Sequence, residues 1–205
     1  MLHISRLLFE FQDKHPEIEI DFGLTDARID LVREGVDIAI RLGPLTDSSL
    51  KMRALGLSRR LLVAAPGYLA RHGAPATPGE LASHEGIRMS NVAGSDTLAL
   101  LDADGTRHVV PFGGRLRVDH GLAAREAVLA GRGIAPAHRW LVDDLIADGR
   151  LRILMPRYAL PSVPLTMLIM PERSRLARVR VLIDFLVENI TRIPGIDAPG
   201  AAGRS

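Results

Sequence analysis

The first third of the chain alternates between helical and strand spacing of its apolar residues. Apolar residues three and four apart predict a first helix that ends at Pro16. The members of this stripe are Ile4, Leu7, Leu8 and Phe11. Apolar residues then alternate with acidic ones over residues 18–22, which predicts a half-buried strand.

A second helix and a second strand follow at once. Thr25 or Asp26 is suited to cap this helix, and Gly35 is suited to end it in a left-handed conformation. Residues 36–40 are almost wholly apolar and predict a buried strand. We therefore expect residues 18–41 to form a βαβ unit with parallel strands, the core of an α/β sheet.

The middle of the chain is rich in turns. Strands are predicted at residues 50–55 and 61–65, and Gly and Pro residues then interrupt the stretch 67–112 repeatedly. Thr77-Pro78-Gly79-Glu80 has the pattern of a capping box, in which the hydroxyl and the carboxylate each accept from a backbone N–H. Asp104-Gly105 predicts a hairpin turn between residues 98–101 and 108–112.

The last third again alternates strands and helices. Strands are predicted at residues 115–118, 133–135 and 163–170. Helices are predicted at residues 121–130, 140–147 and 176–190, the first of them ending at Gly131. Residues 194–205 lack an apolar period, and we expect a disordered tail there.

Composition places the chain among globular proteins. Of its 205 residues, 47% are hydrophobic and 24% are charged, and the absence of cysteine excludes disulfides and thiolate chemistry. No apolar run approaches the roughly 18 residues of a membrane span, and the first segment carries charges that a signal peptide would lack. We expect a cytoplasmic protein without membrane contact.

Charge argues against a nucleic-acid groove in this chain. The net charge is +2, and the arginines are scattered among 24 acidic residues instead of forming a stripe. The densest basic cluster lies on a predicted helix with an apolar face, so we interpret it as a solvated outer face. Its members are Arg173, Arg175, Arg178 and Arg180.

A search for catalytic motifs finds no nucleophile elbow, phosphate loop or zinc-binding helix. Gly131-Arg132-Gly133 follows a predicted helix, so a helix stop explains it better than a dinucleotide fingerprint. The histidines lack the i, i+4 spacing of metal ligands, and Asp119-His120 is the one local acid–histidine pair near a predicted helix start. We expect no enzyme, no cofactor and no metal site.

A series of short motifs runs along nearly the whole chain to about residue 190. They are FEFQDKHP (9–16), DLVREGVDIAIRLG (30–43), DSSL (47–50), AAPGYL (64–69), HGAP (72–75), TPGEL (77–81), His84, AGRGIA (130–135) and GRL (149–151). Each motif alone is weak, but their order is specific, and together they resemble the effector-binding domain of LysR-type transcriptional regulators.

The resemblance implies a two-lobed, periplasmic-binding-protein-like (type 2) α/β fold with two crossing strands. Residues 1–65 and 165–193 would form lobe I, and residues 66–164 lobe II. The chain departs from the family pattern in three ways. The N-terminal winged helix-turn-helix is absent, the first strand of the effector domain is missing, and Ala135-Pro136-Ala137-His138 replaces an apolar stretch.

In folds of this kind ligands lie beyond strand ends, at helix N-termini that favour anions. The predicted ligand-binding residues are Thr25, Asp26, Arg41, Gly43, Asp119, His120 and Gly121. Capping explains Thr25 and Asp26 as well as ligand contact does, and a surface ion pair explains Arg41 equally well. A capping role is the favoured interpretation of Asp119.

The resemblance implies an effector-sensing and dimerisation domain that binds a small organic effector between its lobes. The helix N-termini and Arg41 predict that this effector is an anion. Such domains pair as homo-dimers or tetramers, and DNA would be contacted only through a helix-turn-helix domain absent from this chain. The alternative is a solute-binding receptor of the same fold, which a signal peptide would favour. A metabolic enzyme would need a catalytic constellation that the sequence does not display.

Overall fold

The computed structural model describes residues 2–25, 30–44 and 50–200. Its α-helices are α1 (Leu2–Lys14), α2 (Pro66–His72), α3 (Gly121–Leu129), α4 (Arg139–Ala147) and α5 (Ala177–Asn189). Its strands are β1 (Ile38–Leu42), β2 (Lys51–Ser58), β3 (Arg60–Ala64), β4 (Arg88–Met89), β5 (Thr97–Leu101), β6 (Arg107–Pro111), β7 (Arg117–Val118), β8 (Ala135–His138), β9 (Arg152–Ile153), β10 (Val163–Ile169) and β11 (Ile196–Asp197). Short 3-10 helices cover Pro78–Ser83, Arg173–Arg175 and Ile190–Arg192.

The chain divides into two compact units. The first unit contains Met1–Ser58 and Val163–Ser205, and the second contains Arg59–Ser162. The chain therefore passes from one unit to the other twice, at residues 58–59 and at residues 162–163.

The first unit is built on an antiparallel sheet of order β1-β10-β2-β11. Helices α1 and α5 pack against each other, and the Phe11 ring meets the Phe185 ring edge-on at 5.4 Å. Leu7, Leu8 and Phe11 of α1 are buried, as the helical period predicts. Each such side chain contributes roughly 2 kcal/mol through burial.

The predicted parallel βαβ unit is wrong. Residues 18–25 form no strand, and β1 pairs with β10 in antiparallel register, with Ile38 opposite Ile169. The alternation of residues 18–22 suits a strand, but Phe22 is 39% exposed and no described strand lies beside it. The second predicted helix falls partly outside the described residues, and residues 31–35 form turns that end at Gly35 with φ +66°.

The expectation of a disordered tail from residue 194 is also wrong in its first part. Residues 196–197 form β11, which pairs with β2 so that Ile196 lies opposite Ser58. Ile193 and Ile196 are buried, which explains the order. The signal was present in these two isoleucines, but two apolar residues are too few to establish a period.

The second unit has two apolar clusters around the sheet β8-β3-β9. In one cluster, α3 and α4 cover the central strand through Val128, Val142 and Leu145. In the other, the β5–β6 hairpin contributes Leu98 and Leu100. Among the described residues, β4 and β7 are the one strand pair with parallel register.

Two predicted local motifs have different outcomes. The Asp104-Gly105 hairpin is confirmed, with φ +79° at Gly105 and Asp102 accepting from the backbone N–H groups of Asp104 and Thr106. The capping box is wrong in its partners. The Thr77 hydroxyl donates to Glu80 Oε1 at 2.9 Å, and Glu80 Oε2 accepts from Ala76 N instead.

The Glu80 carboxylate thus accepts two hydrogen bonds, which favour its charged form. The bond from the Ala76 N–H and then the bond from the Thr77 hydroxyl lower the pKa of Glu80. A 3-10 helix begins at Pro78. Within the described residues, the Thr77 side chain accepts no hydrogen bond from the backbone N–H groups at the start of this helix.

Candidate functional site

The parallel strands β4 and β7 end side by side in the second unit. Their register pairs Arg88 with Arg117 and Met89 with Val118, so Ser90 and Asp119 leave the sheet at neighbouring points. Ser90 donates to Val118 O through its backbone N–H at 2.8 Å and its hydroxyl at 3.2 Å. Parallel strands put their carboxyl ends at one edge, where ligands bind in open α/β sheets.

An asparagine that the sequence analysis missed ties these two strand ends together. Asn91 Nδ2 donates to the carbonyl oxygen of Asp119 at 2.8 Å. The signal was a polar Ser90-Asn91 pair directly after Ile87-Arg88-Met89, where two apolar residues flank an arginine, although the sequence left its partner strand unidentified.

His120, and not Asp119, caps helix α3. The His120 Nδ1 atom accepts a hydrogen bond from Leu122 N at 3.1 Å, so the favoured interpretation of Asp119 as the cap is wrong. Because Nδ1 accepts, the neutral ring carries its hydrogen on Nε2. His120 therefore combines a structural role with a donor at the first turn of α3, where the helix dipole favours negative charge.

Packing behind the site holds α3 in place. A Cβ on Gly121 would lie 3.4 Å from the Leu141 side chain, so the first turn of α3 approaches α4 closely. Arg125 on α3 donates to both carboxylate oxygens of Asp144 on α4 at 2.6 Å and also to the Leu141 carbonyl oxygen. The hydrogen bonds from Arg125 lower the pKa of Asp144 to about 2.

In the first unit, Arg41 and Gly43 lie on and just after β1. Arg41 is inside the strand, opposite Thr166, and does not follow the strand end as predicted. Gly43 has φ +99°, and its N–H donates to Pro164 O at 2.9 Å. Because β1 is antiparallel to β10, the strand-end argument used for Arg41 does not apply to this sheet.

Thr25 is exposed and follows no strand, which removes the predicted reason for placing a ligand there. Asp26 lies outside the described residues. A carboxylate further along supports the turn, since Asp30 Oδ1 accepts from Val32 N at 3.0 Å and from Arg33 N at 3.2 Å. The sequence analysis missed Asp30 because residues 27–29 fit a helix that begins at Asp26 as well as they fit a loop that leads to Asp30.

Tertiary structure creates an acid–histidine pair that the sequence did not reveal. His108 Nε2 lies 2.8 Å from Asp102 Oδ2, and the pKa of Asp102 is lowered first by this hydrogen bond. The other Asp102 oxygen accepts from the backbone of the hairpin loop, so the pair belongs to the turn. In the described part of the chain, no group of three or more His, Asp and Glu side chains could hold a metal ion.

None of the helices in residues 2–25, 30–44 and 50–200 is both long enough and apolar enough to cross a membrane. This finding agrees with the longest described helices, α1 and α5, which have 13 residues each.

Curated relatives of this chain are bacterial regulators. The chain is 33% identical over 192 residues to the HTH-type transcriptional regulator CrgA of Neisseria meningitidis, covering 93% of this chain and 64% of the relative. It is 30% identical over 186 residues to the regulator DmlR of Escherichia coli, covering 89% of this chain and 59% of that protein. The chain thus spans less than two thirds of the length of these two relatives.

Two solved structures of LysR-type regulators are similar to this chain. The regulatory domain of CrgA, a LysR-type transcriptional regulator from Neisseria meningitidis, matches with 33% identity and a TM-score of 0.80, covering 91% of each chain. Full-length AphB, a virulence activator of Vibrio cholerae, matches with 26% identity and a TM-score of 0.76, covering 90% of this chain and 62% of that one.

These likenesses confirm the predicted fold class, since LysR regulatory domains have the two-lobed, periplasmic-binding-protein-like α/β fold. The family described as the LysR substrate binding domain matches residues 2–191, which is nearly the whole chain. On this match and on the relatives described above, the chain belongs to the LysR substrate-binding domain family.

Proposed function

We propose that this chain is the effector-sensing and dimerisation domain of a LysR-type DNA-binding transcriptional regulator that works in the cytoplasm. The family match and the names of the relatives support this proposal. They favour it over a solute-binding receptor and over an enzyme, because the cited relatives are regulators. DNA would be contacted through a helix-turn-helix domain, which the matched region does not include.

The observation that carries the proposal is the end of β4 and β7 in the second unit. There, Asp119 and the N-cap residue His120 lead into α3, a nine-residue helix that begins at Gly121. Helix N-termini attract anions because their first N–H groups have no intrahelical acceptor. We therefore propose a small organic anion as effector at the start of α3. On the family resemblance alone, Thr25, Asp26, Arg41 and Gly43 are proposed as further effector contacts.

We expect a carboxylate ligand to raise the melting temperature of the chain, and its neutral amide to leave it unchanged. At a hundredfold excess over the dissociation constant, binding stabilises by about 2.7 kcal/mol. For a chain of this size that corresponds to a rise of roughly 5–10 °C. A thermal-shift screen of small carboxylates with paired amides measures this difference.

Three variants then test the residues. His120→Asn keeps a cap acceptor but removes the ring N–H, so it is expected to reduce the shift without lowering the melting temperature of the free chain. Arg41→Ala and Thr25→Ala test the first unit, with the exposed Arg178→Ala and Thr191→Ala as matched controls. A ligand that proves neutral, or a full shift in all three site variants, would refute the site assignment.

We also propose that the chain self-associates as a homo-dimer or tetramer, as the family resemblance implies. Sedimentation velocity at tens to hundreds of micromolar is expected to give a species of twice or four times the chain mass. A single monomer boundary over that range would contradict the dimerisation role and leave the sensing role to the ligand screen.

A further inference from the structure

A cavity of about 460 Å³ opens on the second unit beside the strand pair β4–β7. Arg88 of β4 and Arg117 of β7 both line it, together with the loop that follows β4. The polar members of this loop are Ser90, Asn91, Ser95 and Asp96. We define these residues and the two arginines as the arginine cavity.

The two arginines project from the same face of the strand pair. Arg88 and Arg117 are register partners across parallel strands, and side chains at paired positions stand on one face. Their neighbours Met89 and Val118 stand on the opposite face, where Val118 packs against the apolar core under α3 and α4. Two cations are thus held side by side on a face turned away from that core.

No carboxylate among residues 2–25, 30–44 and 50–200 lies within 4.0 Å of either guanidinium. Other arginines of the same unit have carboxylate partners, such as Arg125 with Asp144 and Arg139 with Asp143. Like charges opposite each other on a sheet repel. A bound anion would relieve this repulsion.

Arg88 is held in position by the protein. It is half-buried, and its Nη2 donates to the carbonyl oxygen of Gly114 at 2.8 Å. Its Nε is buried and has no hydrogen-bond partner, which is a costly arrangement for a charged donor. A guanidinium fixed at one nitrogen is ordered before a ligand arrives, so less entropy is lost on binding.

The loop around the cavity is anchored at both ends. Ser90 and Asn91 bond to the backbone of β7 and of Asp119, as described above. At the other end, Gly94 adopts φ +70°, and its carbonyl oxygen accepts from the Thr97 N–H and hydroxyl at 3.2 Å. The cavity is therefore bounded by chain whose turns are hydrogen-bonded.

We infer that the arginine cavity is a binding site for the carboxylate group of a small molecule. Two guanidinium groups can each donate to a planar carboxylate, and such charge-assisted bonds are about twice as strong as neutral ones. Asp96 on the same rim leaves the lining with a net charge of one positive unit, which suits a monovalent carboxylate better than a phosphate dianion. The site shares Ser90 and Asn91 with the strand ends described above, but it uses none of the residues proposed to contact the effector and does not depend on the proposed function.

The test is an NMR titration of the whole chain with sodium acetate at constant ionic strength, with sodium chloride and acetamide as control titrants. Acetate is expected to give saturating shifts in the backbone amides of residues 88–96 and in the arginine Nε–H signals of Arg88 and Arg117. Arg88→Gln is expected to weaken the affinity by about tenfold, since it removes a half-buried charged donor. Arg117→Gln, an exposed position, is expected to weaken it by about threefold.

Arg107→Gln removes the same charge from an exposed position on β6 and is expected to leave the acetate affinity unchanged. Equal shifts with chloride, shifts that do not saturate, or unchanged affinity in Arg117→Gln would overturn the inference, even where Arg88→Gln unfolds the chain. Tighter saturation by inorganic phosphate than by acetate would overturn the carboxylate assignment. An Arg41→Ala chain that keeps acetate binding separates this site from the proposed effector contacts.

Discussion

Replacing Gly133 with alanine is expected to lower the free energy of unfolding by about 3 kcal/mol, because the new methyl group has no room. A Cβ at this position would lie on the backbone carbonyl of Glu85, well inside van der Waals contact. The backbone at Gly133 also has φ +157°, a conformation that L-residues rarely adopt. The carbonyl of Glu85 accepts from Ile134 N at 2.8 Å, so the neighbouring chain cannot move away without loss of this bond.

Urea denaturation of the parent and the variant measures this effect. Gly149→Ala is the matched control, because Gly149 has φ +71° but open space around its Cβ. We expect the control to lose about 1 kcal/mol from backbone strain alone. If both variants lose the same amount, the close approach of residues 85 and 133 is not what makes glycine necessary here.

Lowering the pH from 7 to 4 is expected to remove about 3 kcal/mol of stability through one side chain, His138. Burial, and secondarily the charge of Arg60, lower the pKa of His138 from 6.5 to about 4. The ring lies nearly parallel to Trp140 at 5.4 Å, and its strand partner Arg60 donates to Pro161 O from Nε and Nη2. Burial of the ring and the nearby charge of Arg60 favour a neutral His138 in the folded chain.

The sign of the effect follows from the direction of this pKa shift. The unfolded chain binds a proton at His138 near pH 6.5, whereas the folded chain does not until about pH 4. The contribution is therefore complete above pH 6.5 and is lost as the pH falls to 4. Asp144, with a pKa lowered to about 2, loses its contribution only below this window.

The comparison of the parent with His138→Phe isolates this residue, because phenylalanine keeps an aromatic ring and does not titrate. The difference between their free energies of unfolding should change by about 3 kcal/mol between pH 7 and pH 4. An NMR titration of the His138 ring supplies a second readout, with a midpoint expected near 4. A midpoint above 6, or parallel stability curves, would contradict the prediction.

Arg88 and Arg117 show why part of the candidate site was invisible in the sequence. They are 29 positions apart, and the two-residue strands that carry them are too short to show a period. His120 was recognised as a candidate, but its capping role depends on the angle at which β7 enters α3. Asn91 acquires its role only because β7 ends beside it.

The sequence by itself determined the local elements, including α1, α3, α4, α5, the β5–β6 hairpin and the end of α3 at Gly131. These elements depend on periods of two or 3.6 residues and on turn residues, which act over a few positions. Apart from the β5–β6 hairpin, the partner of each strand was decided by the tertiary structure alone. Alternation at residues 18–22 predicts a strand equally well whether or not a neighbouring strand exists. Only the assembled sheet shows that β1 pairs with β10 and that the strand containing Ile196 pairs with β2. Strand pairing requires a second segment distant in sequence, and its hydrogen bonds leave no pattern in either segment alone.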